Sequence, residues 1–581
     1  MFGSSAISGE DLPIYCSDEV TSEMTVIDID PDDLDVAASE GLATPVVGRR
    51  IMIFDQPRQT WDAGASLAAE RAIAKGDSLL MGLWVRGHAI DSDGQPIDGQ
   101  GAVVEVVFQQ QSAPYTKSIQ YLLETDGSDH WKHYWLRLRC GEDYDAGEAG
   151  LSLQFGYMPQ RLDLANVELW NYGQTPLDEL PTVRPTYVGR EAGARWRVEA
   201  ERRIERIRKC DVSLRVLNAD GHPITNRPVS VRQTRHHFPF GSAVNLAAYT
   251  RDDDDGRKYR QTIAKYFNIA TIENSLKWAM WDGADQADRD RALEMVRSLI
   301  DQDILVRGHV LIWPGFGNSP AWLSELEDKP AALRAAVATH IREMGYATDG
   351  LCQHWDVVNE AFDNTDFERV LGRDVLKDAF ATARGVLPDA KLYYNDYAGL
   401  AQGGLPTGHK AHFLEMTEYF KTHTSIDGIG IQGHFGQFLT PPVRMLKELD
   451  RYDEFGLDML ITEYDVLVTD PRLQADFTRD FMTACFSHPG VDGIMTWGFW
   501  EGAHWRPTSA LWANDWTPTA MGRVWLDLVH DHWMTRASMV SDDNGVVEFR
   551  GFKGRYEIGV GEDVKAVKFV SDGEYEVRLG R

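Results

Sequence analysis

From about residue 237 to residue 534 the chain alternates short apolar runs with longer stretches of helical spacing. Eight of the runs read as strands, at 237–244, 267–274, 305–313, 354–360, 391–396, 428–434, 458–465 and 493–500. Stretches such as 288–301 and 330–347 carry the helical pattern between them. Eight β/α units in about 300 residues is the size of a (β/α)8 TIM barrel, which makes the expected fold class α/β.

The flanks are patterned differently. Residues 49–173 hold short alternating runs such as Gly101-Ala-Val-Val-Glu-Val-Val-Phe108 and Leu151-Ser-Leu-Gln-Phe-Gly-Tyr157, set apart by turn clusters at 91–94 and 126–129. That spacing predicts an N-terminal β-sandwich domain. Residues 174–188 carry three prolines and read as a linker, followed by an Arg- and Glu-rich amphipathic helix from Glu191 to Lys209. A hairpin is expected at 212–217 and 229–232 around a turn at 218–221, and residues 536–581 return to short strands that should pack onto the barrel as a β extension. The expected organisation is an arm at 1–48, a sandwich at 49–173, a linker and helix at 174–209, a barrel at 210–535 and an extension at 536–581.

Composition narrows the partners. A formal net charge of −30 with a sequence pI of about 4.9 argues against nucleic acid, since no basic surface would release counterions, and equally against an anionic membrane. No apolar run is long enough to span a bilayer. A neutral polymer fits better, and 18 tryptophans, whose faces stack on sugar rings, point weakly the same way. The five cysteines have neither metal-ligand spacing nor the even count of a disulfide framework, so no metal is implied. Residues 1–48 contain eleven acidic residues and no Lys or Arg, which reads as a largely solvated arm with one strand-like stretch at 24–30. The N-terminus lacks a signal-peptide pattern, although a polymer substrate would place the protein outside the cell or in the periplasm.

The chemistry lies at the strand ends. The second candidate strand ends at Glu273 and Asn274, and the third carries His309 and Trp313. The fourth ends at Asn359 and Glu360, the fifth at Asn395 and Asp396. The sixth carries Gln432 and His434, the seventh Glu463 and Asp465, and the eighth Trp497. In a barrel of this kind the C-terminal strand ends form the active site. Two glutamates at the ends of the fourth and seventh strands suit glycosidic bond cleavage: a carboxylic acid to protonate the leaving oxygen and a carboxylate to attack the anomeric carbon, about 5–5.5 Å apart in retaining enzymes.

Six segments in order resemble glycoside hydrolase family 10: Arg307-Gly-His-Val-Leu-Ile-Trp313, Trp355-Asp-Val-Val-Asn-Glu360, Tyr394-Asn-Asp-Tyr397, Gly428-Ile-Gly-Ile-Gln-Gly-His434, Ile461-Thr-Glu-Tyr-Asp465 and Thr496-Trp-Gly-Phe-Trp500. The resemblance spans roughly residues 210–535. It implies a retaining endo-β-1,4-xylanase acting on xylan or xylo-oligosaccharides without a cofactor, with Glu360 as acid/base and Glu463 as nucleophile. It further implies His434 as donor to Glu463 with Asp465 orienting it, Gln432 holding Glu360, and Asn359 gripping the sugar 2-hydroxyl. Glu273, Asn274, Lys277 and His309 would line the glycone side beside Trp313, with Trp497 and Trp505 as its apolar wall; Asn395 and Tyr397 would face the aglycone. A β-glucanase, an exo-acting β-glycosidase and a non-catalytic carbohydrate-binding scaffold remain as alternatives.

Two positions depart from the family pattern. Pro314-Gly315-Phe316 follows Trp313 where a His, a small residue and a Gln are usual, and Tyr464 stands where Leu is commoner. Trp281 and Trp322 read as packing residues, while His236 and His237 suit either packing or the site. In the N-terminal region, Asn166-Val-Glu-Leu-Trp-Asn-Tyr-Gly173 resembles the last strand of a jelly-roll carbohydrate-binding module. Trp84, Trp131, Tyr134 and Trp135 would be either its sugar platform or its core.

Overall fold

The computed structural model describes residues 48–580, apart from 56, 58, 126, 183–185, 437 and 469, together with strand segments at 14–16 and 24–28. The rest of the acidic arm and part of the proline-rich linker therefore lie outside the described residues.

Eight parallel strands close into a barrel: β1 (Phe240–Val244), β2 (Ile269–Ile272), β3 (Leu305–Gly308), β4 (His354–Asn359), β5 (Lys391–Asp396), β6 (Gly428–Ile431), β7 (Asp458–Val466) and β8 (Val491–Thr496). Each pairs with its neighbour in the chain, and β8 pairs with β1 to complete the ring. Several of the helices between them start at side-chain caps that the sequence supplies. Asp285 accepts the backbone N–H of Asp288 at the start of Gln286–Asp301, which buries Ala292, Met295, Val296 and Leu299 on one face. Asp470 does the same for Pro471–Ser487, where proline at the first turn gives up no needed hydrogen bond. Inside the barrel Arg307 and Asp356 are both fully buried and form a two-pronged ion pair, and His309 Nδ1 lies 2.8 Å from Asp356 Oδ2. Gly430 keeps room for this interior, since a Cβ there would overlap the amide oxygen of Asn395.

The hairpin expected at 212–232 does not form. Lys209–Leu217 instead pairs antiparallel with Val546–Phe552 and parallel with Gly573–Arg578, while Pro228–His236 pairs with Arg536–Val540 and Gly554–Val560. The two resulting sheets share one apolar cluster that includes Val212, Leu214, Val231, Ile558, Phe569 and Val577. The C-terminal extension is thus half of a small two-sheet module whose other half precedes the barrel. A local turn signal lost to strand pairing across more than 300 residues, because only that pairing buries both apolar faces.

In the N-terminal region one sheet runs Ile14–Cys16, Ala63–Ala68, Ala149–Gln154, Val103–Gln110, Lys117–Glu124. The other runs Met24–Asp28, Gly48–Ile53, Gln160–Asn171, Ser78–Ile90, Pro96–Gly101, with Lys132–Arg139 also on Ser78–Ile90. Two pieces of the expected arm are therefore edge strands. Ile51, Leu83 and Val85 from one sheet and Val106, Phe108 and Leu153 from the other belong to one buried cluster, and Tyr134 packs against it. By strand alternation Trp84 takes the opposite face, where it stacks on His133 at 4.4 Å and His133 meets Trp135 edge-on. Beside them Arg50, Arg86 and Arg161 surround the buried Asp163 carboxylate.

Candidate active site

Every strand-end residue singled out in the sequence lies at the C-terminal mouth of the barrel. Glu463, on β7, is almost wholly buried and its carboxylate is held from two sides. Asn395 Nδ2 donates to its Oε1 at 2.7 Å, and His434 Nε2 lies 3.1 Å from its Oε2. Thr462 in turn donates to Asn395 Oδ1 at 2.7 Å, fixing which way the Asn395 amide faces. His434 Nδ1 sits 3.0 Å from Asp465 Oδ2. Asp465 is itself gripped by the indole N–H of Trp505 and by Arg506, both at 2.8 Å.

Glu360 is placed differently. It is the first residue past β4 and turns the chain with φ of 52°, in the left-handed region. Its side chain receives Gln432 Nε2 at 2.7 Å. The same amide group reaches Asn359 Oδ1 at 3.3 Å, and Asn395 Nδ2 reaches that oxygen at 2.8 Å. A continuous run of short contacts, Glu463–Asn395–Asn359–Gln432–Glu360, therefore joins the two carboxyl groups. Asn359 Nδ2 is buried and spends no hydrogen bond within the protein, which leaves it free to donate into the mouth.

The two carboxyl groups are tuned in opposite directions. Burial pushes Glu360 up to about 7, helped by the charges of Asp396 and Glu463 and opposed by the Gln432 bond. Burial works to raise Glu463 as well, but the His434 and Asn395 hydrogen bonds and the charges of His309 and His434 bring it down to about 2. Burial would lower His434, yet Asp465 and Glu463 carry it above its ordinary value, so the imidazolium donates to Glu463. At neutral pH one carboxyl can hold a proton while the other stays ionised. That division suits a proton donor facing a nucleophile.

One side of the mouth is lined by Lys277, whose ammonium donates to Asn274 Oδ1 at 2.9 Å and lies 5.4 Å and 5.9 Å from the ring centres of Trp313 and Trp497. Burial lowers the Lys277 pKa against the pull of Glu463, Glu273 and Glu360. Glu273 accepts from Asn245 Nδ2 at 2.9 Å, and His309 packs edge-on against Trp497 at 5.0 Å. Trp505 is 51% exposed and stacks on the Arg506 guanidinium at 4.2 Å. Tyr397 donates to Asp363 near the exposed rim.

Several partners escaped the sequence reading. Asn245 follows β1 directly, one residue beyond the expected end of that strand. Thr462 and Arg506 adjoin residues already singled out, and the ion pair of Arg307 with Asp356 was visible only as charge inside apolar runs. Phe316 packs against Phe367 at the edge of the barrel's apolar cluster, with ring centres 5.8 Å apart. Tyr464 faces outward, stacked on Phe481 at 4.1 Å and bonded to Thr478 Oγ1 at 2.9 Å. His236 is structural, caged by Phe240, Phe486 and Phe552 with Nε2 on the Val529 carbonyl. Trp281 packs as expected; Trp322, 41% exposed, meets the buried Trp278 edge-on at 6.5 Å and donates to Asp282. Among the described residues, no group of three or more His, Cys, Asp or Glu is arranged to hold a metal ion, and no helix is long and apolar enough to cross a membrane.

The sequence model of glycosyl hydrolase family 10 matches residues 231–521, half of the chain, which takes in all eight strands and both glutamates. The chain belongs to this family. Among curated proteins, this family 10 chain is 34% identical over 394 residues to the anti-sigma-I factor RsgI6 of Acetivibrio thermocellus, covering 66% of the chain and 49% of that protein. It is 30% identical over 365 residues to endo-1,4-beta-xylanase 1 of Arabidopsis thaliana, covering 62% of the chain and 37% of that protein. The chain thus spans half or less of the length of these relatives. Among solved structures, xylanase 10B from Thermotoga petrophila in complex with xylobiose is similar at 24% identity with a TM-score of 0.46, covering 51% of this chain and 94% of that one.

Proposed function

We propose that this family 10 protein is a retaining endo-β-1,4-xylanase. The observation that carries the reading is the opposite tuning of two carboxyl groups joined by one hydrogen-bonded run, Glu360 at about 7 and Glu463 at about 2. In the first step Glu463 attacks the anomeric carbon, the glycosidic C–O bond breaks, and Glu360 delivers its proton to the departing oxygen. In the second, Glu360, now ionised, takes a proton from water, the water oxygen attacks the same carbon, and Glu463 leaves. Asn359 Nδ2, free in the mouth, donates to the 2-hydroxyl of the sugar being cleaved.

Xylan is the substrate class that the names of the plant relatives support. With Phe316 turned into packing, the glycone side loses a polar wall and keeps its aromatic one. The cleft is then more open on that side, so the distal xylose is held more weakly and decorated or glucose-containing chains find room there, while the nearer subsites keep the preference for xylan. NMR of early products should show the β-anomer first; an α-anomer at early times overturns the retaining assignment. Reducing-sugar release should be far faster on xylan than on mixed-linkage β-glucan, and comparable rates make the name xylanase too narrow.

The N-terminal sheets are read here as a sandwich that binds carbohydrate on the face carrying His133 and Trp135, with Trp84 buried beneath His133, supported by that aromatic row opposite the apolar cluster. Retardation of the full chain in xylan affinity gels should fall on Trp135→Ala; unchanged migration assigns those rings a packing role. A polymer substrate of this kind places the protein's work outside the cell or in the periplasm.

A further inference from the structure

We infer that Asn364 is a positioning residue for Glu360, holding the acid/base backbone from outside the barrel. This rests on the reading of Glu360 as the acid/base. Glu360 adopts a left-handed conformation that a residue with a Cβ does not take unaided, so surrounding contacts must impose it. Its N–H donates to the Asn395 carbonyl at 2.9 Å, which ties it to β5. Its own carbonyl is received by Asn364, through the side-chain Nδ2 at 2.9 Å and the backbone N–H at 3.3 Å.

The orientation of the Asn364 amide is dictated by the Glu360 carbonyl, which can only accept and so takes the nitrogen end. Asn318 Nδ2 then donates to the Asn364 Oδ1 at the other end at 2.7 Å. Neither end is free to turn. The amide is further boxed in by Gly315, where a Cβ would stand 2.7 Å from Asn364 Oδ1. The turn that departs from the family pattern is thus fastened to the segment after the acid. Phe316 N–H donates to Asp366 at 2.9 Å, Phe367 N–H to the Pro314 carbonyl at 3.0 Å, and the Phe316 and Phe367 rings pack together. The carboxamide is the link in this lacing that reaches the acid itself. An aspartate would keep the acceptor and lose the donor, and would set a negative charge against the Glu360 carbonyl.

The consequence is specific to proton delivery. A misplaced acid slows bond cleavage where the leaving group needs a proton and matters little where it does not. Small displacements at such a site cost on the order of 10²-fold. Asn364→Ala should lower kcat/KM on xylo-oligosaccharides about 10- to 100-fold while changing it less than about twofold on an aryl xylobioside with a highly activated phenol. Azide, which attacks without a general base, should raise kcat on the activated substrate and yield a β-glycosyl azide. Asn318→Ala should show the same selectivity more weakly. Glu360→Ala, run alongside, should display the selectivity in full, and its absence there overturns the acid/base reading itself. Where Glu360→Ala behaves as expected, equal losses of Asn364→Ala on both substrates, or full activity on both, overturn the positioning role. Asn364→Asp, which nearly preserves volume, guards against a packing artefact: it should show the same selective loss, and wild-type behaviour overturns the need for the donor.

Discussion

The two halves of the barrel mouth hold their glutamates by different means. At the end of β7, Glu463 is seated within the strand and braced by neighbours that are themselves braced: Asn395 by Thr462, His434 by Asp465, and Asp465 by Trp505 and Arg506. At the end of β4, Glu360 has left the strand, is only partly buried, and depends on one amide at its side chain and a loop at its backbone. The first arrangement suits a group that must stay charged and still, since each partner stabilises the ionised form. The second suits a group that must take up and release a proton, because burial without strong donors leaves its pKa near neutrality.

Removing each carboxylate in turn should separate the two sites most strongly. Glu463→Ala should cost about 10⁴-fold or more on every substrate, since no other group forms the covalent intermediate. Glu360→Ala should cost about 10²- to 10⁴-fold on xylan and far less on activated aryl glycosides. Equal losses for the two variants on activated substrates would erase the difference between the sites.

The pH profile of kcat/KM reads the two carboxyl groups on separate limbs. The acid must be protonated, so activity should be lost as pH rises through about 7, where burial has placed Glu360. The nucleophile must be ionised, so the acidic side should stay flat far below the ordinary carboxylate range, towards about 2, as long as the protein remains folded. His434→Ala removes a donor that stabilises the Glu463 carboxylate. The acidic limb should then move to higher pH, lowering the rate beneath it about tenfold for each ~1.4 kcal/mol of stabilisation that the carboxylate loses. An unmoved limb in stopped-time assays on folded variant would show that His434 does not set the charge of Glu463.

A smaller effect separates the two sides again. Gln432→Leu takes away the hydrogen bond that lowers Glu360, so its basic limb should move to higher pH while the acidic limb stays in place. Movement of both limbs would mean that the run of amides transmits charge between the carboxyl groups. The smallest effect is expected behind β7. Tyr464→Phe breaks the bond to Thr478 on the outer face of the strand and should cost about 1 kcal/mol of stability in denaturant titrations with unchanged kcat and KM.

How legible these features were in the sequence follows from how local their causes are. Strands of the barrel announce themselves as apolar runs, and their polar end residues break those runs, so Glu273, Asn359, Asn395, Gln432, His434 and Glu463 stand out one strand at a time. The orientation of Tyr464 was not legible, because the residue alternates within a strand buried on both faces and only the neighbouring Phe481 shows which way it points. Phe316 was equally hidden, since the pocket that receives it is made by Phe367, some fifty residues on. The expected hairpin misled for a related reason: its turn residues are genuine, but the partners of its strands lie at the far end of the chain.

That last pairing bears on how the protein is made. Pro228–His236 leaves the ribosome about 300 residues before Arg536–Val540, the strand it pairs with, a delay of roughly 15–60 s at about 5–20 residues per second. Throughout that interval two strands with unpaired edges and a bare apolar face stand at the threshold of a barrel still being synthesised. A chain released early would carry all eight barrel strands and yet present those edges to its neighbours. Strands Arg536–Val540 to Gly573–Arg578 therefore seal the module only after every barrel strand has been made.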